Sequence, residues 1–347
     1  MSATDLPECI DSVERLEEML SRPHPETVEL MKRLEGDIVV LGAGGKIGIS
    51  LSRTAARAIE QAGVKKRVIA VSRFGDTSIR EFLDSHGVET VSCDLLDRQA
   101  VAELPKVDNV IFMAGRKFGT TGDVETTWAM NCLVPANCAE HYRGSRVVVF
   151  STGCVYPLVP VASCGSVETD PPEPVGEYAQ SCLGRERVWG HYSKTDGTPV
   201  VMFRLNYAVE CRYGVLFDIA EQVLAGQPVQ TGVGQFNCIW QGDVNNQALR
   251  CLEIAESPPS VINITGPETL GTRWAAHEMG RLMHREVGFA GDDGTRGYLS
   301  NATRATELFG YPTVPPRRVL QWVAHWMMQG GPGLGKPTHF EVTDGKY

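Results

Sequence analysis

The stretch Gly42-Ala43-Gly44-Gly45-Lys46-Ile47-Gly48 constrains the fold more than any other in the chain. It follows a short apolar run, 37–41, and opens a long helix-like stretch, 46–62. A strand that turns into a helix through glycines lets the backbone approach a bound anion. The free N–H groups and the positive dipole end of the helix then face that anion. Glycines at this spacing permit the tight turn, the close approach and the packing of helix on strand. G-x-x-G-x-x-G in a strand–turn–helix setting therefore points to the pyrophosphate of a dinucleotide, with Gly42, Gly45, Ile47 and Gly48 as its contacts.

The setting continues downstream. Apolar, β-branched runs recur at 67–71, 89–92, 109–113, 146–150 and 199–203, separated by helix-like stretches at 78–86, 98–104, 124–141 and 178–192. Strands that are apolar throughout and spaced by helices predict a parallel sheet covered on both faces. After 203 the alternation breaks down into a helix-like 216–224, an irregular stretch to 242, a strand-like 261–264 and helices at 273–284 and 318–328. The expected fold is α/β: a Rossmann-type doubly wound parallel sheet with a smaller mixed C-terminal substrate lobe. Residues 1–36 read as a helical packing arm (helices at 11–20 and 25–34), 37–205 as the dinucleotide-binding domain and 206–347 as the lobe. Segments near 237–265 are expected to return to the sheet, and the Gly- and Pro-rich tail 330–347 to lie on the surface.

Composition removes several alternatives. The 347 residues carry a net charge of -9, so the chain has no general attraction to nucleic acid or anionic membrane. No apolar run approaches the roughly 20 residues of a membrane span, and the first residues lack the regions of a secretory signal. A cytoplasmic protein with no membrane or nucleic-acid partner is expected. The ten cysteines form no CxxC pair and no zinc-finger spacing, so no metal site is expected and most read as packed thiols.

The end of the second strand decides between cofactors, because an acid there holds the ribose of NAD and an arginine accepts the 2′-phosphate of NADP. Here Ala70-Val71-Ser72-Arg73 offers no acid, and the fork of Arg73 suits a phosphate. NADP is the expected cofactor, with NAD as the alternative and Lys46 as a candidate second charge. Asp94 and Leu95 after the third strand, and Ala114 and Gly115 after the fourth, are expected to line the adenine and the cofactor channel.

The fifth strand ends in Phe150-Ser151-Thr152-Gly153-Cys154-Val155-Tyr156, and Glu177-Tyr178-Ala179-Gln180-Ser181-Cys182-Leu183-Gly184-Arg185-Glu186 follows. With Asn131, Gly242-Asp243-Val244, Asn263-Ile264-Thr265-Gly266 and Leu308-Phe309-Gly310-Tyr311-Pro312, these motifs resemble the extended short-chain dehydrogenase/reductases, the NAD-dependent epimerase/dehydratase family, from about 37 to 316. The resemblance implies that Thr152 hydrogen-bonds the substrate oxygen. It also implies that Tyr178 exchanges a proton with that oxygen while the nicotinamide gives or takes hydride. A free tyrosine, with a pKa of about 10, is a poor base at neutral pH. The family lowers it with a lysine one helical turn on, which also holds the nicotinamide ribose. This chain has Cys182 there. Three readings stand: another cation substitutes, with Lys117 and Arg185 as candidates; the charge of the oxidised nicotinamide suffices; or hydride transfer has been lost. A Cys182 thiolate nucleophile stands beside the simpler packed thiol.

Family members that act on nucleotide-diphosphate sugars carry Arg-x-x-Asn-x-Tyr-Gly after the sixth strand, and an arginine shortly before the Asp-Val of the lobe. The equivalent run Arg204–Glu210 has Tyr207 at the Asn position and Glu210 at the Gly position, and Asn237 is nearest to the arginine. Without that bidentate contact a standard nucleotide sugar is not expected. Lys117, Asn206, Tyr207, Asn237 and Trp240 are instead candidate contacts to a small carbonyl or polyol substrate. The implied activity is an NAD(P)-dependent oxidoreductase or epimerase, the alternative being a dinucleotide-binding regulator or scaffold. The resemblance also implies a homodimer packed through helices 124–141 and 178–192.

Overall fold

The computed structural model describes residues 6–117, 122–336 and 338–345. Seven strands build one sheet: β1 (Ile38–Leu41), β2 (Val68–Ser72), β3 (Glu89–Ser92), β4 (Asn109–Phe112), β5 (Arg146–Thr152), β6 (Val200–Leu205) and β7 (Ser260–Ile264). Their order is β7-β6-β5-β4-β1-β2-β3, with every neighbouring pair parallel. The strand at 261–264 thus joins the main sheet as its outer strand. Chain order reverses between β1 and β4, which leaves a crevice at their carboxyl ends where doubly wound sheets take ligands.

Successive residues of a strand face opposite sides, and here both sides are covered. Ile38 and Val40 pack on one face with Ala70, Ile111, Val148 and Val201. Val39 and Leu41 pack on the other with Ile69, Val71, Val110 and Val147. Each such side chain withdrawn from water contributes roughly 1.5–3 kcal/mol, so burial on two sides holds the sheet.

The helices, in chain order, are α1 (Val13–Leu20), α2 (Pro25–Arg33), α3 (Lys46–Ala62), α4 (Thr77–Ser85), α5 (Arg98–Ala102), α6 (Val124–Trp128), α7 (Val134–His141), α8 (Gly176–Asp196), α9 (Val215–Leu224), α10 (Gln241–Arg250), α11 (Thr272–Met283), α12 (Thr303–Phe309) and α13 (Pro316–Met328). α2, α3 and α10 cover the first face through Leu30, Leu51, Ala55 and Val244. α5, α7 and α8 cover the second through Val101, Cys138 and Trp189. The lobe has its own core, in which Leu216, Ile219, Met279, Trp322 and Trp326 of α9, α11 and α13 meet.

Two expectations change. The helix predicted over 124–141 forms along that whole span but widens into a π turn, Ala129–Leu133, in which the Val134 N–H bonds the Ala129 carbonyl. Pro135 explains the widening, since it has no N–H to give and its ring crowds the carbonyl a turn earlier. The C-terminal tail is not merely superficial: Thr338 and Phe340 are 3% and 1% exposed. Asp218 accepts the Thr338 N–H at 2.7 Å, and the Phe340 ring lies 6.4 Å from that of Phe236. Among the described residues no helix is long and apolar enough to cross a membrane.

Candidate active site

The glycine turn joins β1 to α3 at the crevice. Gly42 has φ +90°, and a Cβ there would meet the Ala114 nitrogen at 2.7 Å, so only glycine fits. A Cβ on Gly48 would lie 2.6 Å from the Ala43 oxygen, which presses the helix start against the turn. Gly45 caps α3 with no side chain, and the first turn of the helix holds no acid. The first N–H groups of α3 therefore meet no competing anion from the helix itself. A Cβ on Gly45 would touch only the Gly42 oxygen at 3.4 Å, so the turn is open on that side. This arrangement fits a dinucleotide phosphate.

From the turn a cavity of about 260 Å³ runs to the end of β5. Gly42, Gly45, Lys46, Ile47 and Gly48 form one end, and Gly115, Lys117, Thr152 and Tyr178 the other. Asn206, Tyr207, Tyr213 and Thr338 close it from the lobe side. Lys46 turns into this space, its Nζ 3.1 Å from the centroid of the Tyr213 ring. Burial, then neighbouring Lys117, pushes its ammonium down to about 6. The face of Tyr213 holds it in the cavity. Arg73 is exposed at the end of β2, Asp94 is exposed and caps the Leu96 N–H at 3.0 Å, and Leu95 is buried. None of these three forms part of the cavity wall; Ala114 lies beneath Gly42.

Thr152 ends β5 and Tyr178 lies in the first turn of α8, and their side chains are hydrogen-bonded to each other. Burial raises the Tyr178 phenol well above its ordinary range, while the charge of Arg185 and the bond to Thr152 act to lower it. Cys182 is fully buried one turn further on and is hydrogen-bonded to Tyr178. Burial pushes its thiol up to about 11, so it is a packed, protonated thiol at neutral pH and not a thiolate nucleophile.

Both candidate cations reach this end of the cavity. Lys117 comes from the loop after β4, with Nζ 5.9 Å from the centroid of the Tyr178 ring and donating to the Thr338 carbonyl at 3.3 Å. Arg185 comes from α8, donating from Nη1 to the Phe150 carbonyl at 2.7 Å and from Nη2 to Asn131 Oδ1 at 2.5 Å. Asn131 sits in the π turn, where its Oδ1 also accepts the Arg116 N–H at 3.0 Å and its Nδ2 donates to Ser181 Oγ at 2.8 Å.

Two expected substrate contacts lie elsewhere. Asn237 is 3% exposed, accepting from Asn206 at 2.7 Å and donating to the Ser300 carbonyl at 2.6 Å. Trp240 packs edge-on against Trp322, with centroids 5.2 Å apart, in the lobe core. Asn237 knots the lobe together through its amide, and Trp240 is too apolar to leave that core. Glu210 is buried and paired with Arg212 at 3.1 Å. Tyr213 and Thr338 also wall the cavity, and no local sequence pattern marks them, because they are brought in from the lobe and from the far C-terminus.

Residues 38–235 match the NAD dependent epimerase/dehydratase family. No curated protein sequence matches the chain. Among solved structures it is similar to a UDP-glucuronic acid 4-epimerase mutant from Bacillus cereus in complex with UDP-4-deoxy-4-fluoro-glucuronic acid and NAD. That match has a TM-score of 0.70 and 19% identity over 84% of this chain and 99% of that one. The Bordetella bronchiseptica enzyme WbmH in complex with NAD+ gives 0.68 and 20% over 85% and 100%. UDP-glucose 4-epimerase from Thermotoga maritima with UDP-glucose gives 0.68 and 17% over 84% and 99%. At these identities the structural likeness speaks for the fold. The sequence match speaks for kinship, and since it spans more than half of the chain, the protein belongs to the NAD dependent epimerase/dehydratase family, the extended short-chain dehydrogenase/reductases.

Proposed function

We propose that the protein is an NADP-dependent oxidoreductase or epimerase. Its substrate would be a hydroxyl or ketone centre of a small sugar-like metabolite rather than a standard nucleotide-diphosphate sugar. The observation that carries this reading is the hydrogen-bonded pair Thr152 and Tyr178, set in the wall of the same cavity that begins at the glycine turn. A bound nicotinamide would give or take the hydride. Thr152 would hold the substrate oxygen, and the Tyr178 hydroxyl would pass a proton to it in reduction or receive one in oxidation. Arg73, with no acid at the end of β2, favours the 2′-phosphate of NADP over the bare ribose of NAD.

One observation weighs against a nucleotide diphosphate. Asn237, at the position nearest the arginine that would grip the phosphates, is used up in a buried amide network. The test is titration of the purified chain with NADPH and NADH, followed by a panel of sugars and carbonyl compounds. Loss of reduced-nicotinamide absorbance is monitored together with product analysis, because an epimerase returns its cofactor. Tighter binding of NADPH and turnover of a small polyol or ketone are expected. Turnover of UDP-sugars alone would overturn the substrate reading, and binding without any turnover would favour a regulator.

A further inference from the structure

Helix α8 lacks a lysine at 182, yet a permanent positive charge enters the same cavity from lower on that helix. Arg185 is 6% exposed and lies three residues after Cys182. Helical side chains lean toward the N-terminus, so a long chain at 185 reaches back over the turn that carries 182. The guanidinium is clamped at both ends, by the Phe150 carbonyl on β5 and by Asn131 in the π turn. Both acceptors are neutral oxygens. The adjacent carboxylate on α8, Glu186, is engaged by Arg204 at 2.7 Å and by Ser151 at 2.6 Å. Space for the guanidinium exists because Gly115 has no Cβ, which would otherwise collide with Nη2.

Deepening the reading above, on which it rests, we propose that Arg185 supplies the fixed positive charge of the Tyr178 centre in place of a lysine at 182, with Gly115 kept free of a Cβ to admit its guanidinium. The same charge draws down both the Tyr178 phenol and the Cys182 thiol against the effect of burial. Lys117 serves less well in this role. Burial holds its ammonium below the ordinary range, so its charge depends on pH, whereas a guanidinium keeps its proton.

The charge has a signature that a purely structural arginine lacks. A fixed cation at the nicotinamide end disfavours the oxidised, positively charged ring relative to the neutral reduced one. Affinities for NADP+ and NADPH are therefore measured for the full-length wild type, Arg185→Met and Arg185→Met/Cys182→Lys, with circular dichroism as the check on folding. Arg185→Met should move the ratio of the two affinities about tenfold toward NADP+. The double variant, which restores a cation on α8, should return it toward wild type. If Arg185→Met misfolds, Gly115→Ser serves instead, because its side chain displaces the guanidinium and should move the ratio the same way. A ratio that stays fixed in a folded variant, or one that Cys182→Lys does not restore, overturns the role of Arg185 alone. A wild type that binds neither dinucleotide overturns the functional reading together with this inference.

Discussion

Lys46 shows how one side chain in a phosphate-binding turn acquires a pH response. Tyr213 and partial burial hold it in the cavity, with Lys117 and Lys336 lowering its ammonium, to about 6, and Asp218 and Glu210 opposing them. A dinucleotide phosphate brought close to Nζ would raise that value, so binding would take up a proton between about 6 and the raised value. Affinity for NADPH should then rise several-fold as pH falls from 8 toward 6 and level off below, by linkage. Calorimetric titration across that range checks it, and Lys46→Met should flatten the dependence. A dependence of opposite sign would mean that Lys46 stands clear of the phosphate. Cys182→Lys alone should not improve the enzyme: it sets a second cation beside the clamped guanidinium of Arg185, and like charges repel. Either higher turnover or tighter NADPH binding in that variant would count against a resident cation. The turn's spacing made the positions of Gly42 and Gly48 legible in advance, whereas Thr152, Tyr178 and Cys182 were marked by the family resemblance, whose motifs fall at the end of β5 and one helical turn apart on α8. The direction of Lys46 and the burial of Asn237 and Trp240 were not legible, since both depend on what the lobe packs against them.

The elements were readable wherever one period dominated. β1 is apolar throughout, β4 and β5 are apolar apart from Asn109 and from Arg146, Ser151 and Thr152 at their ends, and all three lie in the centre of the sheet, as two-sided burial demands. The stretch 124–141 also looked regular, and it forms a helix that widens into a π turn just before Pro135. That turn has a consequence, because it aims Asn131 inward at Arg185 and Ser181. On the outer side of the same segment Leu133 is 59% exposed and Trp128 36%. These are large apolar side chains on the helix through which the family resemblance implies a homodimer. Leu133→Glu should therefore convert a dimer to monomer in sedimentation at micromolar concentration while leaving NADPH affinity within about twofold, since Leu133 lies outside the cavity wall. A wild type that sediments as a monomer would leave this helix without a partner of its own kind.

At the scale of the molecule, both ends of the described chain tie the lobe to the nucleotide-binding sheet. Near the start, Ile10, Leu16 and Leu20 enter the lobe core, while Leu30, Met31 and Leu34 join the core on one face of the sheet. At the far end the tail contributes Thr338 to the cavity wall. Thr338 bonds Asp218 of α9 and offers its carbonyl to Lys117, Phe340 anchors in the lobe, and Gly345 lies against Gly176 at the start of α8. None of this was legible from a Gly- and Pro-rich composition, because a few anchoring side chains decide whether such a segment is held. Phe340 is the largest of these anchors, and its loss separates two roles for the tail. If the strap only adds burial, Phe340→Ala costs about 3–5 kcal/mol in urea unfolding and changes nothing else. If the strap also completes the cavity, the same variant frees Thr338 from Asp218 and Lys117, and NADPH binding weakens as well. The second outcome is expected, since Thr338 is part of the cavity wall and its carbonyl accepts from Lys117. Thr338→Ala provides the control. It keeps the backbone carbonyl that Lys117 uses and removes the hydroxyl's bonds to Asp218 and from the Phe340 N–H, so it should lower stability by about 1–2 kcal/mol and leave binding nearly unchanged.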